Sequence, residues 1–361
     1  MPKKPLAVVA MSGGVDSSVA AGLLQQQGYD VVGVTMRLWT EDDAGAARHH
    51  KRCCSVEDTD DARAAADVLG VRHYVINLER EFKDSVVDKF VAEYARGRTP
   101  NPCLACNDKV KFRPLLEHAI ALGADWLATG HYARASHAES GPHELLRAID
   151  PSKDQSYVLY TLGQEELSRT LFPVGEYPKD EIRRLAHEWS LPNADKPDSA
   201  DICFIPSGDY RAFVRDRIPV AAGDIVDTDG RTVGEHEGIV NYTVGQRRGV
   251  PARGNAQPLF VVDIDADTNR VVIGPHEELM ATALVADELT FVDGVTPAND
   301  VRVDARIRYR APAMPATLSV SGETAGVRFE TPQRAVTPGQ AVVFYDGERV
   351  IGGGTIVRRL Q

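Results

Sequence analysis

Residues 10–19 read AMSGGVDSSV, and they directly follow the apolar run from Leu6 to Val9. Two adjacent glycines after such a run predict a turn at the tip of a strand, because glycine adopts backbone angles closed to other residues and lets a ligand approach main-chain N–H groups. We expect a helix to begin near Asp16 or Ser17, with its unpaired N–H groups and positive dipole end facing the turn. An anion, most simply a phosphate chain, fits such a site.

The turn differs from a Walker loop, whose pattern requires a lysine for the β- and γ-phosphates, since residues 10–19 contain no lysine. Transfer of a γ-phosphoryl group is therefore disfavoured. The stretch Ser12 to Ser17 instead resembles the SGGxDS loop of the ATP pyrophosphatase superfamily, which grips the β- and γ-phosphates while the α-phosphate is attacked. That resemblance implies adenylylation of a substrate. It names no substrate, because amide-forming synthetases and RNA thiolases share the loop.

Apolar runs alternate with helix-like segments in the first part of the chain. The runs cover 6–10, 31–36, 73–78 and 126–130, and the helix-like segments cover about 16–27, 58–70 and 108–122. This alternation predicts an α/β fold with a parallel sheet and crossover helices, in which ligands bind beyond the carboxyl ends of the strands. Gly28 is placed to end the first helix.

The texture of the sequence changes after about residue 205, where short segments broken by Gly, Pro and Asp replace long helices. We predict an ATP pyrophosphatase catalytic domain over 1–205, a small mixed or β central linking domain over 206–280, and a C-terminal β-barrel over 281–361. The stretch 301–310, VRVDARIRYR, alternates between apolar and charged residues and predicts a half-buried strand. Its four arginines on one face also fit a phosphate-contacting strip.

Composition limits the classes of function. The chain has 361 residues, 43% of them apolar and 26% charged, with a formal net charge of −11. Binding of nucleic acid through overall basicity is therefore disfavoured, although local basic strips remain open. The N-terminal apolar run is too short for a secretory signal, and no stretch approaches the ~20 apolar residues of a membrane helix. We expect a cytoplasmic protein without a membrane partner.

Five cysteines are too few, and an odd number, for a disulfide scaffold in a chain of this size. Cys103 and Cys106 lie in TPNPCLACN (99–107), and Cys203 lies in DSADICFI (198–205). Turn-forming or β-prone residues flank these segments, which is a modest argument against inert core cysteines. Cys53 and Cys54 follow a His- and Lys-containing stretch but lack the C-x2-C spacing of zinc sites, so a loop is favoured there.

These segments together resemble the bacterial tRNA-specific 2-thiouridylases. Further matches span almost the whole chain: Gly130-His131-Tyr132, Lys153-Asp154-Gln155-Ser156-Tyr157, Phe172-Pro173-Val174-Gly175, Thr243-Val244-Gly245-Gln246-Arg247 and Thr337-Pro338-Gly339-Gln340. The resemblance implies a tRNA-uridine 2-sulfurtransferase that uses ATP to replace O2 of the wobble uridine with sulfur. It implies tRNA and a persulfide donor, such as a cysteine desulfurase or a sulfur relay protein, as partners.

The chemistry explains why both kinds of motif occur. A carbonyl oxygen is a poor leaving group, whereas AMP attached to it leaves easily. A persulfide on one cysteine delivers sulfur, and a second thiolate attacks the bridging sulfur and leaves a disulfide. By resemblance, Cys203 is the persulfide carrier and Cys106 the nucleophile.

At position 103 the chain departs from a common form of the family. Many members have Asn-Pro-Asp, with the aspartate proposed as general acid/base, where this chain has Asn101-Pro102-Cys103. A thiol serves in that role only with a suitably tuned pKa, so Cys103 is a candidate acid/base on that condition. Alternatively, Cys103, Cys106 and Cys203 converge as ligands of a [4Fe–4S] cluster with one open iron.

The resemblance also implies binding residues. The nucleotide contacts are Ala10, Met11, Ser12, Gly13, Gly14, Val15, Asp16, Ser17, Met36 and Gly130. The contacts to the target base or tRNA are Asn101, Pro102, Cys103, His131, Lys153, Asp154, Gln155, Arg308, Tyr309 and Gln340. The resemblance implies that Asp16 orients the loop or helps to hold Mg²⁺. Without the resemblance, Asp16 is predicted to be the N-cap of the first helix.

Two other classes of function stay open from the sequence. An amide-forming synthetase with the same ATP loop predicts an ammonia-generating domain or an acid-substrate pocket, which the cysteine segments and β-rich last third fit less well. A non-catalytic sulfur-carrier or tRNA-binding protein retains the cysteines but has no use for the loop. ATP consumption that depends on tRNA separates this last class from the enzyme.

Overall fold

The structure is a computed structural model that describes residues 3–39, 56–198, 202–205, 207–251 and 257–361. Cys53 and Cys54, for which the sequence favours a loop, lie outside the described residues. None of the described helices is long and apolar enough to cross a membrane.

A parallel sheet forms the centre of the N-terminal part. The strands up to residue 171 are β1 (Leu6–Ala10), β2 (Asp30–Arg37), β3 (Arg72–Asn77), β4 (Trp126–Thr129), β5 (Ala133–Ser136), β6 (Glu144–Arg147) and β7 (Thr170–Leu171). The sheet order is β3-β2-β1-β4-β7, and every pairing in it is parallel. The four predicted apolar runs are therefore confirmed as neighbouring parallel strands.

Helices cover both faces of this sheet, which explains why its strands are continuous apolar runs. Ala7 and Val9 face one hydrophobic cluster, whereas Val8 and Ala10 face another. The α-helices are α1 (Val15–Gln26), α2 (Val56–Leu69), α3 (Glu79–Phe82), α4 (Asp88–Ala95), α5 (Pro102–Cys106), α6 (Arg113–Ala121), α7 (Gln164–Leu167), α8 (Lys179–Glu188) and α9 (Tyr210–Arg215). Gly28 follows α1 with a φ of 93°, as its predicted place at the helix end requires.

The predicted helix at 108–122 is confirmed but irregular. A π-helical stretch, Asn107–Phe112, continues α5 and leads into α6. A second π-helical stretch, Lys83–Val87, joins α3 to α4. Such wide turns occur frequently at functional sites.

Two further sheets follow. The later strands are β8 (Gly223–Asp227), β9 (Thr232–His236), β10 (Phe260–Asp265), β11 (Arg270–Gly274), β12 (Met280–Phe291), β13 (Val301–Arg306), β14 (Met314–Ser321), β15 (Thr324–Arg334), β16 (Ala341–Asp346) and β17 (Arg349–Leu360). The central sheet has the order β10-β11-β8-β9. The strands β12-β15-β14-β13-β16-β17 are antiparallel, and the β12–β17 pairing closes them into a six-stranded barrel, which confirms the predicted C-terminal β-barrel.

The hairpin β5–β6 extends this last sheet, because β6 pairs with β17 at Leu146 and Arg349. A segment assigned to the catalytic domain therefore continues the barrel sheet. The domain limits of 1–205, 206–280 and 281–361 stay predictions.

The strand predicted over 301–310 is too long by four residues, since β13 ends at Arg306. The Arg306 side chain explains the end, because its guanidinium donates to the carbonyl oxygens of Arg308 and Tyr309 and so curls the chain into a turn. The four arginines consequently do not form one strip. Arg302 is an exposed partner of Glu330, whereas Arg306 is largely buried.

Candidate nucleotide and thiol site

The turn between β1 and α1 has the conformation that its glycines predict. Gly13 has a φ of 72°, and a Cβ atom at this position would lie 2.2 Å from the carbonyl oxygen of Asp58. Gly14 is the N-cap of α1 in an extended conformation, and no described side chain caps this helix. The helix therefore begins at Val15, and the N-cap reading of Asp16 is wrong, because Gly14 occupies that position. Uncapped N–H groups at this end suit an anion.

Hydroxyl groups of the first turn hold the loop in shape. The amide of Ser12 donates to Ser17 Oγ at 3.1 Å, and Ser17 Oγ lies 3.1 Å from the carbonyl oxygen of Gly14, to which it donates. Ala10 and Met36 are buried at the carboxyl ends of β1 and β2, in the same hydrophobic cluster. Met11 continues β1 through a hydrogen bond from its amide to Val34.

Asp16 faces a buried lysine that sequence reasoning missed. Lys179 Nζ donates to both carboxylate oxygens of Asp16, at 2.6 and 2.8 Å, and lies 2.8 Å from Asp198 Oδ1. Tyr132 donates its hydroxyl to Asp16 at 2.9 Å. Lys179 is the first residue of α8, where the helix dipole disfavours a cation. A lysine at this unfavourable position was the one sequence feature that could have indicated a buried carboxylate partner.

Asp198 gathers several cations. Its carboxylate contacts Lys153 at 2.9 Å and Arg183 at 3.0 Å, in addition to Lys179. Burial opposes ionisation, but the hydrogen bonds from Lys179 and Lys153 outweigh it and lower the pKa of Asp198 to about 2. The start of the segment that carries Cys203 is thereby fastened to the phosphate turn.

Gly130 and His131 lie behind the turn. A Cβ atom on Gly130 would lie 2.6 Å from the amide nitrogen of Ser17, so only glycine lets β4 approach α1 this closely. His131 packs against the rings of Phe112 and Phe172 and contacts Thr129 Oγ1 at 2.8 Å. Burial, with a smaller contribution from Lys111, holds the pKa of His131 well below its ordinary value, so its imidazole is neutral near pH 7.

The helix α5 carries Cys103 and Cys106, which lie at different depths. Asn101 is its N-cap and accepts a hydrogen bond from the amide of Cys103 at 3.1 Å, with Pro102 at the first helical position. Cys103 is exposed, whereas Cys106 is buried. Burial raises the pKa of the Tyr309 phenol above its ordinary value, and the charge of Cys103 adds a small contribution in the same direction.

Cys203 lies on the same cluster as Cys106. The cluster contains Ala10, Met36 and Cys106 among its buried residues, and Cys203 packs against it. The neighbouring Phe204 is buried and contacts the rings of Phe82, Phe90 and Phe213, which anchors this short segment. The structure thus brings both predicted reactive cysteines and the ends of β1 and β2 to one cluster.

Comparisons with known proteins match nearly the whole chain. Three family models match consecutive parts of the chain: a tRNA methyl transferase HUP domain over residues 6–207, a tRNA methyl transferase PRC-barrel domain over 211–275 and an aminomethyltransferase beta-barrel domain over 281–356. A tRNA-specific 2-thiouridylase of Roseiflexus castenholzii is 50% identical, over 97% of this chain and 99% of that protein. The chain belongs to the tRNA-specific 2-thiouridylase family.

Other 2-thiouridylases match at similar levels. The protein of Thermoanaerobacter sp. is 47% identical over 100% of both chains, and that of Geobacter metallireducens is 49% identical over 97% of this chain and 96% of its own. Among solved structures, a 4-thiouridine synthetase–RNA complex with bound ATP resembles 60% of this chain and 50% of that one, at 20% identity and a TM-score of 0.34. That likeness is too weak to carry an argument.

The sequence left two metal sites open, Mg²⁺ at Asp16 and a [4Fe–4S] cluster at Cys103, Cys106 and Cys203. In the described part of the chain, which includes Cys103, Cys106 and Cys203, no three His, Cys, Asp or Glu side chains converge as metal ligands. Both oxygens of Asp16 are engaged by Lys179. The described residues therefore do not fit a [4Fe–4S] cluster or a protein-held Mg²⁺ in this arrangement.

Several residues expected to contact tRNA in 2-thiouridylases have internal partners. The Asp154 carboxylate is buried and accepts from Ser156 and Arg306, so a direct contact with RNA is not supported. Arg308 donates to the carbonyl oxygen of Ala335 and to Thr337 Oγ1. Gln340 donates to the carbonyl oxygen of Thr99 at 2.7 Å, two residues before Asn101.

Lys153, Gln155 and Tyr309 are the remaining members of that predicted set. The side chain of Lys153 is 36% exposed, which leaves it accessible beside Asp198. Gln155 Oε1 accepts from the amide of Tyr132 at 2.8 Å, and the Gln155 side chain opposes the rise that burial causes in the pKa of Tyr309. Sequence reasoning named Gln155 and Tyr309 but missed that Gln155 is connected to the nucleotide loop through Tyr132.

Proposed function

We propose that the chain is a tRNA-uridine 2-sulfurtransferase that adenylylates O2 of the wobble uridine with ATP and then replaces that oxygen with sulfur, giving 2-thiouridine, AMP and pyrophosphate. The observation that carries the proposal is the shared cluster, in which the ends of β1 and β2 lie with Cys106 and Cys203. The names of relatives about 47–50% identical over nearly the whole chain support the substrate.

The phosphate turn supplies the first half of the reaction. Gly13 and Gly14 expose main-chain N–H groups at the uncapped start of α1, where the β- and γ-phosphates of ATP bind. Uridine O2 attacks the α-phosphorus and pyrophosphate leaves. The tight contact of Gly130 with α1 keeps this end of the helix fixed.

The cysteines supply the second half. The terminal sulfur of a Cys203 persulfide attacks C2 of the adenylylated uridine, loses its proton and displaces AMP with the original oxygen. The thiolate of Cys106 then attacks Cys203 Sγ, the S–S bond breaks, and its electron pair stays on the sulfur now bonded to C2. The products are 2-thiouridine and a Cys106–Cys203 disulfide, which a thiol reductant must reduce before the next persulfide is loaded.

The exposed thiol and the barrel turn form the proposed edge of the RNA site. The charge of Cys103 adds to the rise that burial causes in the pKa of Tyr309, and Gln340 fixes the backbone of Thr99 just before Asn101, so these side chains frame the place where a uridine must enter. The proposed tRNA contacts are Lys153 and the turn after β13 that contains Arg308 and Tyr309. The persulfide donor is a cysteine desulfurase or a sulfur relay protein, and the location is the cytoplasm.

Methyl transfer, named in the descriptions of two matching family models, takes an activated methyl donor and leaves the paired cysteines and the phosphate turn without a role. The amide-forming alternative equally lacks a use for Cys106 and Cys203. The arrangement of the site therefore favours thiolation over both.

Mass analysis of tRNA nucleosides, after incubation of the full chain with ATP, Mg²⁺ and a persulfide source, tests the proposal. We expect 2-thiouridine, with AMP and pyrophosphate formed only when tRNA is present. Cys106→Ser and Cys203→Ser should each abolish the product while the affinity for a non-hydrolysable ATP analogue stays unchanged. Cys53→Ser, to which the proposal gives no role, is the matched control. Formation of 2-thiouridine at the parental rate by either the Cys106→Ser or the Cys203→Ser variant contradicts the mechanism.

A further inference from the structure

Arg306 lies at the junction of the barrel and the N-terminal part, and all of its polar atoms face the chain itself. Its guanidinium donates to Asp154 Oδ2 at 3.1 Å, to the carbonyl oxygen of Arg308 at 3.3 Å and to that of Tyr309. Its side chain is only 13% exposed. Arg306 is thus unsuited to contact phosphate directly, but it sets the backbone of the turn that follows β13.

Asp154 fixes the other side of this guanidinium. Its Oδ1 accepts from the amides of Ala148 and Ser156, and its Oδ2 accepts from Ser156 Oγ and Arg306. The carboxylate is 4% exposed, so loss of a charged partner leaves an uncompensated buried charge. These donors fix the position of the Asp154 carboxylate. Because the Arg306 guanidinium bonds this carboxylate, its position is fixed as well.

A continuous set of hydrogen bonds leads from this pair to the phosphate turn. Gln155, the neighbour of Asp154, accepts from the amide of Tyr132 at 2.8 Å and donates its own amide to the carbonyl oxygen of Tyr132 at 2.8 Å. The Tyr132 hydroxyl reaches Asp16, in the first turn of α1, at 2.9 Å.

We propose that Arg306 is a positioning residue that, through Asp154, Gln155 and Tyr132, couples occupancy of the nucleotide loop at Asp16 to the geometry of the Arg308–Tyr309 turn on the RNA side. The inference rests on the proposed function, because it takes that turn as part of the tRNA site. Binding coupling is reciprocal, so tRNA must change the affinity for nucleotide by the factor by which nucleotide changes the affinity for tRNA.

The test uses the full chain, the non-hydrolysable analogue AMPPNP and an unmodified tRNA transcript with a wobble uridine, at fixed salt. For the parent we expect AMPPNP to tighten tRNA binding at least about fivefold. Arg306→Lys keeps the charge beside Asp154 but loses the forked contact with two carbonyl groups. We expect its tRNA Kd to rise about tenfold and the AMPPNP effect to fall to nearly one, with an unchanged AMPPNP Kd in the absence of tRNA.

Arg302→Lys is the matched control, since Arg302 lies on the same strand but is exposed and contacts Glu330. It should behave like the parent in all three measurements. Tyr132→Phe breaks the other end of the connection and leaves Arg306 intact, so it tests the proposal even if Arg306→Lys folds poorly. We expect parental tRNA affinity without nucleotide, and little AMPPNP effect.

The outcomes separate the two proposals. A parental AMPPNP effect on tRNA binding in either Arg306→Lys or Tyr132→Phe, or no effect in the parent, overturns the coupling and leaves thiolation standing. A parent that binds no tRNA overturns both. A merely structural role of Arg306 would lower the melting temperature without removing the AMPPNP effect.

Discussion

Lys179 is a nearly buried lysine that forms an ion pair with Asp16 beside the phosphate turn. It is 7% exposed and bonds both oxygens of Asp16, whereas Lys153 is 36% exposed and bonds Asp198. Breaking a fully buried pair costs about 3–5 kcal/mol, and the partial exposure of Asp16 reduces this. We expect Lys179→Met to lower the free energy of unfolding by about 2 kcal/mol in urea titrations.

Lys153→Met is the matched control for that change. A partly exposed ion pair contributes little, so its loss should cost less than about 1 kcal/mol. Equal losses for the two variants would show that burial does not set the strength of these contacts.

Asp198 predicts a specific dependence of stability on pH. Its pKa is lowered to about 2 in the folded chain, because the hydrogen bonds from Lys179 and Lys153 outweigh the effect of burial. A depressed carboxyl pKa stabilises the fold above the unfolded value of about 3.9 and loses that contribution as the pH falls through the folded value. The difference in urea midpoint between the parent and Asp198→Asn should therefore be widest above about pH 5 and close toward pH 2. A constant difference over this range would contradict the assignment.

At the residue scale, the sequence predicted the thiols and the glycine turn to which the proposed function assigns the chemistry, but not the residues that hold them in place. The thiols and the glycine turn have local signatures. Lys179, Tyr132 and Arg306 act through partners more than a hundred residues away, and no local pattern encodes such contacts. The same cause explains Asp154, for which the family resemblance implied an RNA contact and whose partner Arg306 lies in the barrel.

Among the elements, α1 and β4 depend on one close approach. A Cβ atom on Gly130 would lie 2.6 Å from the amide of Ser17, and backbone cannot give way as a flexible side chain can. We expect Gly130→Ala to destabilise the fold by about 1–3 kcal/mol and to weaken AMPPNP binding about tenfold or more, measured by urea titration and calorimetry.

Gly326→Ala serves as the control for this effect, because the atom nearest to its added Cβ is the Ser319 carbonyl oxygen at 3.9 Å. It should leave AMPPNP affinity unchanged. Parental affinity in Gly130→Ala would show that the start of α1 tolerates displacement.

The sequence predicted these elements well where periodicity dominates. The runs that became β1, β2 and β4 contribute buried side chains to the clusters on both faces of the sheet, as a covered parallel sheet requires, whereas the edge strand β3 leaves Tyr74 and Val75 exposed. Periodicity failed at β13, because the alternation from 301 to 310 continues beyond the point where Arg306 bends the chain. It also gave no hint that β6 pairs with β17, a contact that depends on tertiary packing.

For the molecule as a whole, the contacts between the N-terminal part and the barrel predict one cooperative unit. Arg147 donates its amide to Glu348 at 2.8 Å, and buried Tyr157 donates its hydroxyl to Ala341 at 2.9 Å. All three tryptophans lie in the first 205 residues, so their fluorescence reports that part alone. Far-UV circular dichroism includes the antiparallel strands of the barrel. We expect the two signals to give coincident urea transitions.

Tyr157→Phe sharpens this prediction, since it leaves the buried carbonyl oxygen of Ala341 without its donor and should cost about 1–3 kcal/mol. If the N-terminal part and the barrel unfold together, both signals must shift to lower urea by the same amount. If they unfold separately, the urea midpoints from fluorescence and from dichroism must differ, because losing the contact then destabilises the two units by different amounts. Different midpoints would also contradict the inference about Arg306. Coupling between the phosphate turn and the barrel requires that the two keep a fixed arrangement relative to each other.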